Sequence, residues 1–137
     1  MALPNGAGGY QIGDGNLNET NFQVIPVPAT ATATATLTAE QVLNGILLGS
    51  PGASAASYTL PTVAALEAAL PNSDKPGISF DFSVINVDGN TSGVITLVTN
   101  TGWTLVGLMT VVATAGTAQI FRARKSGVGT WTLYRVG

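Results

Sequence analysis

The sequence contains no cysteine and no histidine among its 137 residues. Without these side chains there can be no disulfide, no thiolate nucleophile, no imidazole base and no zinc site of nitrogen and sulfur ligands. Charge is also scarce, because Asp, Glu, Lys and Arg together make up only 9% of the chain. Soluble domains commonly carry about 25% charged residues. We therefore expect part of the surface to be covered by another protein.

Basic residues are too few for a nucleic acid partner, since the formal net charge is -2 and phosphate binding needs a positive field. No apolar run approaches the roughly 20 residues of a membrane-spanning helix. Residues 1–11 have neither the basic region nor the apolar stretch of a signal peptide. The length matches one domain of about 100–150 residues. We expect a single folded unit that binds no membrane.

Residues 1–36 are predicted to form an extended N-terminal arm. The first 28 residues are rich in Gly, Asn and Pro and have no helical or strand period. Four Ala-Thr dipeptides follow at 29–36, and their two-residue period favours extended backbone. A terminus without contacts is the alternative. Spaced apolar residues favour contact with a partner, and the candidates are Tyr10, Ile12, Leu17, Phe22, Val24 and Ile25.

Residues 37–137 are predicted to form an all-β domain with one short helix. The Thr38-Ala39-Glu40-Gln41 stretch fits a capping box and predicts a single helical turn that ends at Gly45. The Ala-rich stretch 61–71 predicts the helix. Short β patterns separated by turn residues at intervals of about eight to twelve residues favour an antiparallel β-sandwich or a jelly-roll-like barrel. Strands are predicted at 46–48, 57–60, 78–85, 94–99, 103–106, 109–113, 119–125 and 130–136.

The acidic residues do not indicate catalysis. No two of them have a spacing that specifies a carboxylate pair on neighbouring strands, although pairing in space stays open. The segments 13–16 and 88–90 are typical of turns and lack the spaced acids of a calcium loop. We expect no enzyme activity, no metal, no cofactor and no small-molecule substrate.

Four of the five basic residues lie in the last 16 positions of the chain. Arg122 and Arg124 would share one face of a strand, and Arg135 in the next strand could extend them into a cationic stripe. Such a stripe could bind a carboxylate of a neighbouring subunit. The alternative is a solvated outer face. The candidates for a subunit interface are Asp81, Arg122, Arg124 and Arg135.

Five stretches of the body form an ordered series: LTAEQVLNGILLG at 37–49, YTLPT at 58–62, SFDFSVIN at 79–86, FRARK at 121–125 and WTLYR at 131–135. Together they resemble small virion proteins of tailed bacteriophages, some of which are similar to the capsid cement, or decoration, proteins of cyanophages. The resemblance implies a β-sandwich or jelly-roll-like body, commonly trimeric, on the outside of an icosahedral head. Residues 1–36 lie outside it.

The sequence thus predicts a non-enzymatic cement protein on the capsid exterior, with the major capsid protein as its partner. In a homotrimer, three arms could each contact neighbouring capsid subunits, and weak attachments would act together. The alternative is a tail or receptor-binding β module that contacts host glycan. Its sugar-stacking residues would be Trp103, Trp131, Tyr58 and Tyr134, which could equally be core or interface anchors.

Overall fold

A computed structural model describes residues 24–137 of the chain. These residues contain two α-helices, α1 (Ala39–Leu43) and α2 (Val63–Ala69). The strands are β1 (Ala29–Ala31), β2 (Ala35–Thr36), β3 (Ile46–Gly49), β4 (Ala56–Thr59), β5 (Ser79–Asn86), β6 (Ile95–Val98), β7 (Trp103–Val106), β8 (Thr110–Val111), β9 (Thr117–Gly127) and β10 (Thr130–Arg135). The described chain is therefore β-rich, with two short helices.

The strands form a six-stranded sheet, in the order β1-β3-β5-β9-β10-β7, and a four-stranded sheet, in the order β2-β4-β6-β8. From β1 to β9, each strand lies in the opposite sheet from the strand before it. The first six strands make three successive coils: β1 with β2 (the first coil), β3 with β4, and β5 with β6. Each coil pairs in parallel with the previous one.

The sheets are mixed, whereas the sequence predicted antiparallel pairing. Five of the eight pairings are parallel, among them β7 with β10. The other three, β5 with β9, β9 with β10 and β6 with β8, are antiparallel. The physical reason lies in the connections. The chain between parallel neighbours such as β1 and β3 passes through a strand of the other sheet. It therefore lacks the long helical crossover by which parallel strands are commonly recognised in a sequence.

Each helix is capped by a threonine, and the sequence pattern predicts the first of them, Thr38. The Thr38 hydroxyl accepts from the Gln41 backbone N–H, and the Gln41 side chain accepts in return, which confirms the capping box. Thr62 caps α2 in the same way through the N–H of Ala65. After α1, Gly45 adopts a φ of +98°, a conformation that glycine tolerates without a Cβ clash, and the chain turns into β3.

The two sheets enclose one core. The six-stranded sheet contributes Leu47, Val84 and Phe121, and the four-stranded sheet contributes Tyr58, Ile95 and Val111. An aromatic chain runs through this core. The Trp131 ring lies 6.2 Å from that of Trp103 and 5.8 Å from that of Phe80, distances at which tilted rings attract one another.

Residues 29–36, which the sequence assigned to the arm, contain β1 and β2 of the first coil. β1 pairs with β3, and β2 pairs with β4. These segments therefore belong to the sheets of the body. Of the chain before β1, the structure describes residues 24–28.

Candidate interaction surfaces

The outer face of the six-stranded sheet, which points away from the core, carries two apolar rows. In the first row, Leu48 lies beside Ile85. In the second, Ile46 pairs with Ser83, and Ser83 pairs with Ile120. Val136 extends this row, because its N–H donates to the Ile120 carbonyl. The side chains of Ile120 and Val136 are 43% and 47% exposed. This half of the outer face is suited to contact with another protein.

The other half of the outer face carries an ion pair. Asp81 on β5 lies in register with Arg122 on β9, and the guanidinium binds the carboxylate through two hydrogen bonds of 2.7 and 3.0 Å. These bonds hold the pKa of Asp81 below its ordinary value and raise the pKa of Arg122. Both side chains are about half exposed. The structure thus joins two predicted interface residues within one chain, and their contact with another subunit stays a prediction.

The two remaining arginine candidates lie on opposite faces of the sheet. Arg124 is exposed on the outer face, in register with Ser79 and Thr132. Arg135 is in register with Phe121, which faces the core. Its guanidinium donates to the Gln119 side chain at 2.9 Å and to the Leu108 carbonyl at 3.3 Å. The cationic stripe therefore comprises Arg122 and Arg124, and Arg135 lies outside it.

Lys125, the fourth basic residue of this region, is buried at 4% exposure. Its ammonium group binds the carboxylate of Glu67 on α2 and lies 6.0 Å from the centre of the Trp131 ring. The pair connects α2 to β9, so its role is structural. Alternation along β9 signals this orientation, since Phe121, Ala123 and Lys125 all fall on the inner face.

The proposed sugar-stacking residues are mostly inside the protein. Trp131 and Tyr58 are fully buried, and Trp103 is 7% exposed. The Trp103 indole N–H donates to the Pro61 carbonyl at 2.7 Å, and the Tyr58 hydroxyl donates to the Ala31 carbonyl at 2.9 Å. Tyr134 alone of the four is half-buried, on the outer face beside Arg122. These residues offer no exposed aromatic platform.

The arm candidates fall into two groups. Tyr10, Ile12, Leu17 and Phe22 lie outside the described residues. Val24 and Ile25 are 98% and 51% exposed. Just after them, the Asn44 side-chain amide donates to the Val27 carbonyl at 3.0 Å. Two exposed apolar side chains thus precede the point where the chain is held by the body.

Three carboxylates of the body are engaged in local pairing. Glu67 binds Lys125, and Asp81 binds Arg122. Asp88 accepts from the Ser50 hydroxyl at 2.6 Å and from the Gly52 N–H at 3.1 Å, and these bonds lower its pKa. In residues 24–137, no three potential metal-ligating side chains are grouped together. Neither helix of this part of the chain has the length and apolarity needed to cross a bilayer.

No protein-family model matches the chain, and searches of curated proteins and of solved structures give no significant match. The surfaces described above are therefore the basis for a functional proposal.

Proposed function

We propose that the chain is a non-enzymatic capsid cement, or decoration, protein of a tailed bacteriophage. It binds the major capsid protein on the outside of the icosahedral head and stabilises the shell. The observation that supports this most is the outer face of the six-stranded sheet. Half-exposed aliphatic side chains such as Ile120 and Val136 lie there beside the Asp81–Arg122 pair. Protein interfaces commonly combine an apolar centre with a polar rim.

The exposed side chains before β1 support the arm part of the proposal. Val24, Ile25 and Val27 expose apolar surface that would be buried against a capsid subunit. In a homotrimer, three such arms would attach at once. After the first attachment the others bind at high effective concentration, so that individually weak contacts give firm binding.

The glycan-binding alternative lacks comparable support. It requires Trp131 and Trp103 to stack against sugar rings, and both indoles are packed in the core. Exposing Trp131 would disrupt its contacts with Phe80 and Trp103. We therefore propose no second function.

Binding to undecorated heads tests the proposal. Purified protein is mixed with heads built from the major capsid protein of the same phage, and bound copies are counted after sedimentation. We expect saturable binding, and greater resistance of the decorated heads to heat. Light scattering should give a mass near three times 13.8 kDa for the free protein. Absence of saturable binding would refute the cement function.

A pair of matched variants tests the outer face. Ile120→Lys places a charge in the apolar row, whereas Val112→Lys places the same charge on an exposed aliphatic position after β8. If the outer face contacts the head, Ile120→Lys buries a lysine in place of an aliphatic side chain and should weaken head binding by about tenfold or more. Val112→Lys should not weaken it. Equal binding by the two variants, with unchanged circular dichroism, would exclude the outer face as the contact.

A further inference from the structure

The start of β5 has a neighbouring strand on one side only. β9 pairs with β5 along its whole length, from Ser79 to Asn86. β3 pairs with it only from Ser83 onward, where the Ser83 N–H donates to the Gly45 carbonyl. Backbone groups alternate in direction along a strand, so the N–H and C=O groups of Ser79 and Asp81 point to the same side as those of Ser83. Among the described residues, no strand pairs with them there.

This open strand edge borders an apolar groove of about 460 Å³. The groove is lined by Leu43 at the end of α1, by Leu70 after α2 and by the half-buried Phe80 of β5. Of the described residues that line it, only Asp81 is charged, and its carboxylate is already bound by Arg122. The groove therefore suits an apolar occupant.

The backbone of the open edge shows which kind of occupant fits. An extended chain laid beside β5 can pair its N–H and C=O groups with those of Ser79 and Asp81, as in recognition by strand addition. Alternate side chains of such a chain point to opposite faces of the sheet. Those beside Phe80 face the groove, where Leu43 and Leu70 can bury them. A helix would leave the edge unpaired, because its backbone bonds run within the helix.

We propose that an extended segment of the major capsid protein adds a strand to β5 in this groove, with apolar side chains toward Leu43 and Leu70. The added strand continues the six-stranded sheet where β3 does not reach. The inference rests on the proposed function, since Asp81 belongs both to the groove and to the outer face that we assign to head contact. The groove is thus continuous with that face, and one partner can cover both.

Removal of one backbone N–H tests the strand addition. Ser79→Pro removes the N–H that points to the groove and leaves the bonds between β5 and β9 in place, because Ser79 does not donate to β9. Ser79→Ala is the matched control, since it removes the same side chain and keeps the N–H. Binding to undecorated heads is measured by sedimentation, for variants with unchanged circular dichroism. We expect Ser79→Pro to bind about tenfold more weakly and Ser79→Ala to bind like the wild type.

Hydrogen exchange gives a second measurement, which needs no variant. In the free protein the amides of Ser79 and Asp81 should exchange rapidly, whereas those of Phe80 and Phe82, which point to β9, should be protected. Head binding should slow exchange at Ser79 and Asp81 by about tenfold or more, measured by mass spectrometry with fragmentation to single residues. If Ser79→Pro does not fold, this measurement decides alone.

The outcomes separate the strand addition from the cement function. Equal head binding by Ser79→Pro and the wild type, or unchanged exchange at Asp81 on binding, would overturn the strand addition and leave the cement function standing. Absence of saturable binding by the wild type would overturn both. Protection of Ser79 and Asp81 in the free protein, lost on dilution to the monomer, would overturn the inference by assigning the edge to a second copy of this chain.

Discussion

The first coil and the closing strands, β9 and β10, are held in the fold by different means. β1 and β2 contain only Ala and Thr, and none of these residues is fully buried. Hydrogen bonds from the body hold the first coil: the Tyr58 hydroxyl donates to the Ala31 carbonyl, and the Gln41 side chain donates to the Thr30 carbonyl. The closing strands instead contribute fully buried side chains, namely Phe121, Ala123, Trp131 and Leu133.

This difference implies an uneven distribution of stability. Burial of large apolar side chains is the dominant favourable contribution to folding, whereas a single hydrogen bond adds about 1 kcal/mol. Regions with few buried contacts open before the rest of a structure. The first coil should therefore open locally while β9 and β10 stay folded. The part of the body that adjoins the arm is therefore the part that is expected to open most easily.

The largest effect is expected in the closing strands. Trp131→Ala removes a fully buried indole that contacts both Phe80 and Trp103. We expect the free energy of unfolding to fall by about 3–5 kcal/mol, measured by urea denaturation followed with circular dichroism. Trp131→Phe is the control and should cost much less, since the indole nitrogen has no hydrogen-bond partner among the described residues. A small loss of unfolding free energy for Trp131→Ala would contradict the view that buried side chains stabilise the closing strands more than the first coil.

The second-largest effect is expected for the ion pair between Lys125 on β9 and Glu67 on α2. Lys125→Met leaves the Glu67 carboxylate without its partner, in a site where the glutamate side chain is 25% exposed. Loss of one member of a fully buried pair costs about 3–5 kcal/mol, so with this partial exposure we expect about 2 kcal/mol in the same assay. The double variant Glu67→Leu/Lys125→Met should recover most of the loss. If Lys125→Met matched the wild type, the pair would contribute nothing to anchoring α2.

The local elements of this fold were predictable, whereas its topology was not. The predicted stretch 61–71 contains α2 (Val63–Ala69), and alternation at 78–85 located β5 (Ser79–Asn86). Such patterns reflect which side of a segment is buried. They do not specify which sheet the next strand joins. The parallel coils depend on that choice, so the predicted antiparallel arrangement differs from the mixed sheets.

The residues of the candidate interaction surface were likewise predictable only where a local pattern places them. Alternation along β9 correctly separates Arg122 and Arg124 from Phe121 and Ala123. The same alternation, applied to Lys125, would have indicated its burial. Its partner Glu67, however, lies 58 residues away in the sequence, and no local pattern joins the two. Pairing between distant residues depends on the topology, so local sequence patterns could not predict it.

A smaller effect is expected in the first coil. Tyr58→Phe removes the hydroxyl that donates to the Ala31 and Thr32 carbonyls, and should cost about 1 kcal/mol. Hydrogen exchange should accelerate at residues 29–31 and stay unchanged in β9 and β10. Equal acceleration in both regions would show that the first coil does not open separately.

The ionisation of Tyr58 gives a second measurement on the same coil. Burial raises the pKa of this side chain above its ordinary value of 10.0. Its contribution to stability is therefore fully present below that ordinary value and is lost as the pH rises through the folded pKa. The protection of the β1 amides, which is the intrinsic exchange rate at each pH divided by the observed rate, should fall in alkaline solution for the wild type, and the Tyr58→Phe variant should lack this fall.

The smallest effect is expected on the outer face of the closing strands. The bond from Arg122 lowers the pKa of Asp81 below its ordinary value of 3.8, so the contribution of the pair is present above that pH and is lost as the pH falls through the folded pKa. Asp81→Asn should lower the Tm slightly at neutral pH and leave it unchanged in acid, where wild-type Asp81 is protonated. Because both side chains are about half exposed, added salt should reduce the neutral-pH difference. If Asp81→Asn instead lowered the stability as much as Lys125→Met does, the ion pair on the outer face would stabilise β9 as much as the one on the inner face. The contrast between closing strands stabilised by the core and a first coil held by hydrogen bonds would then fail.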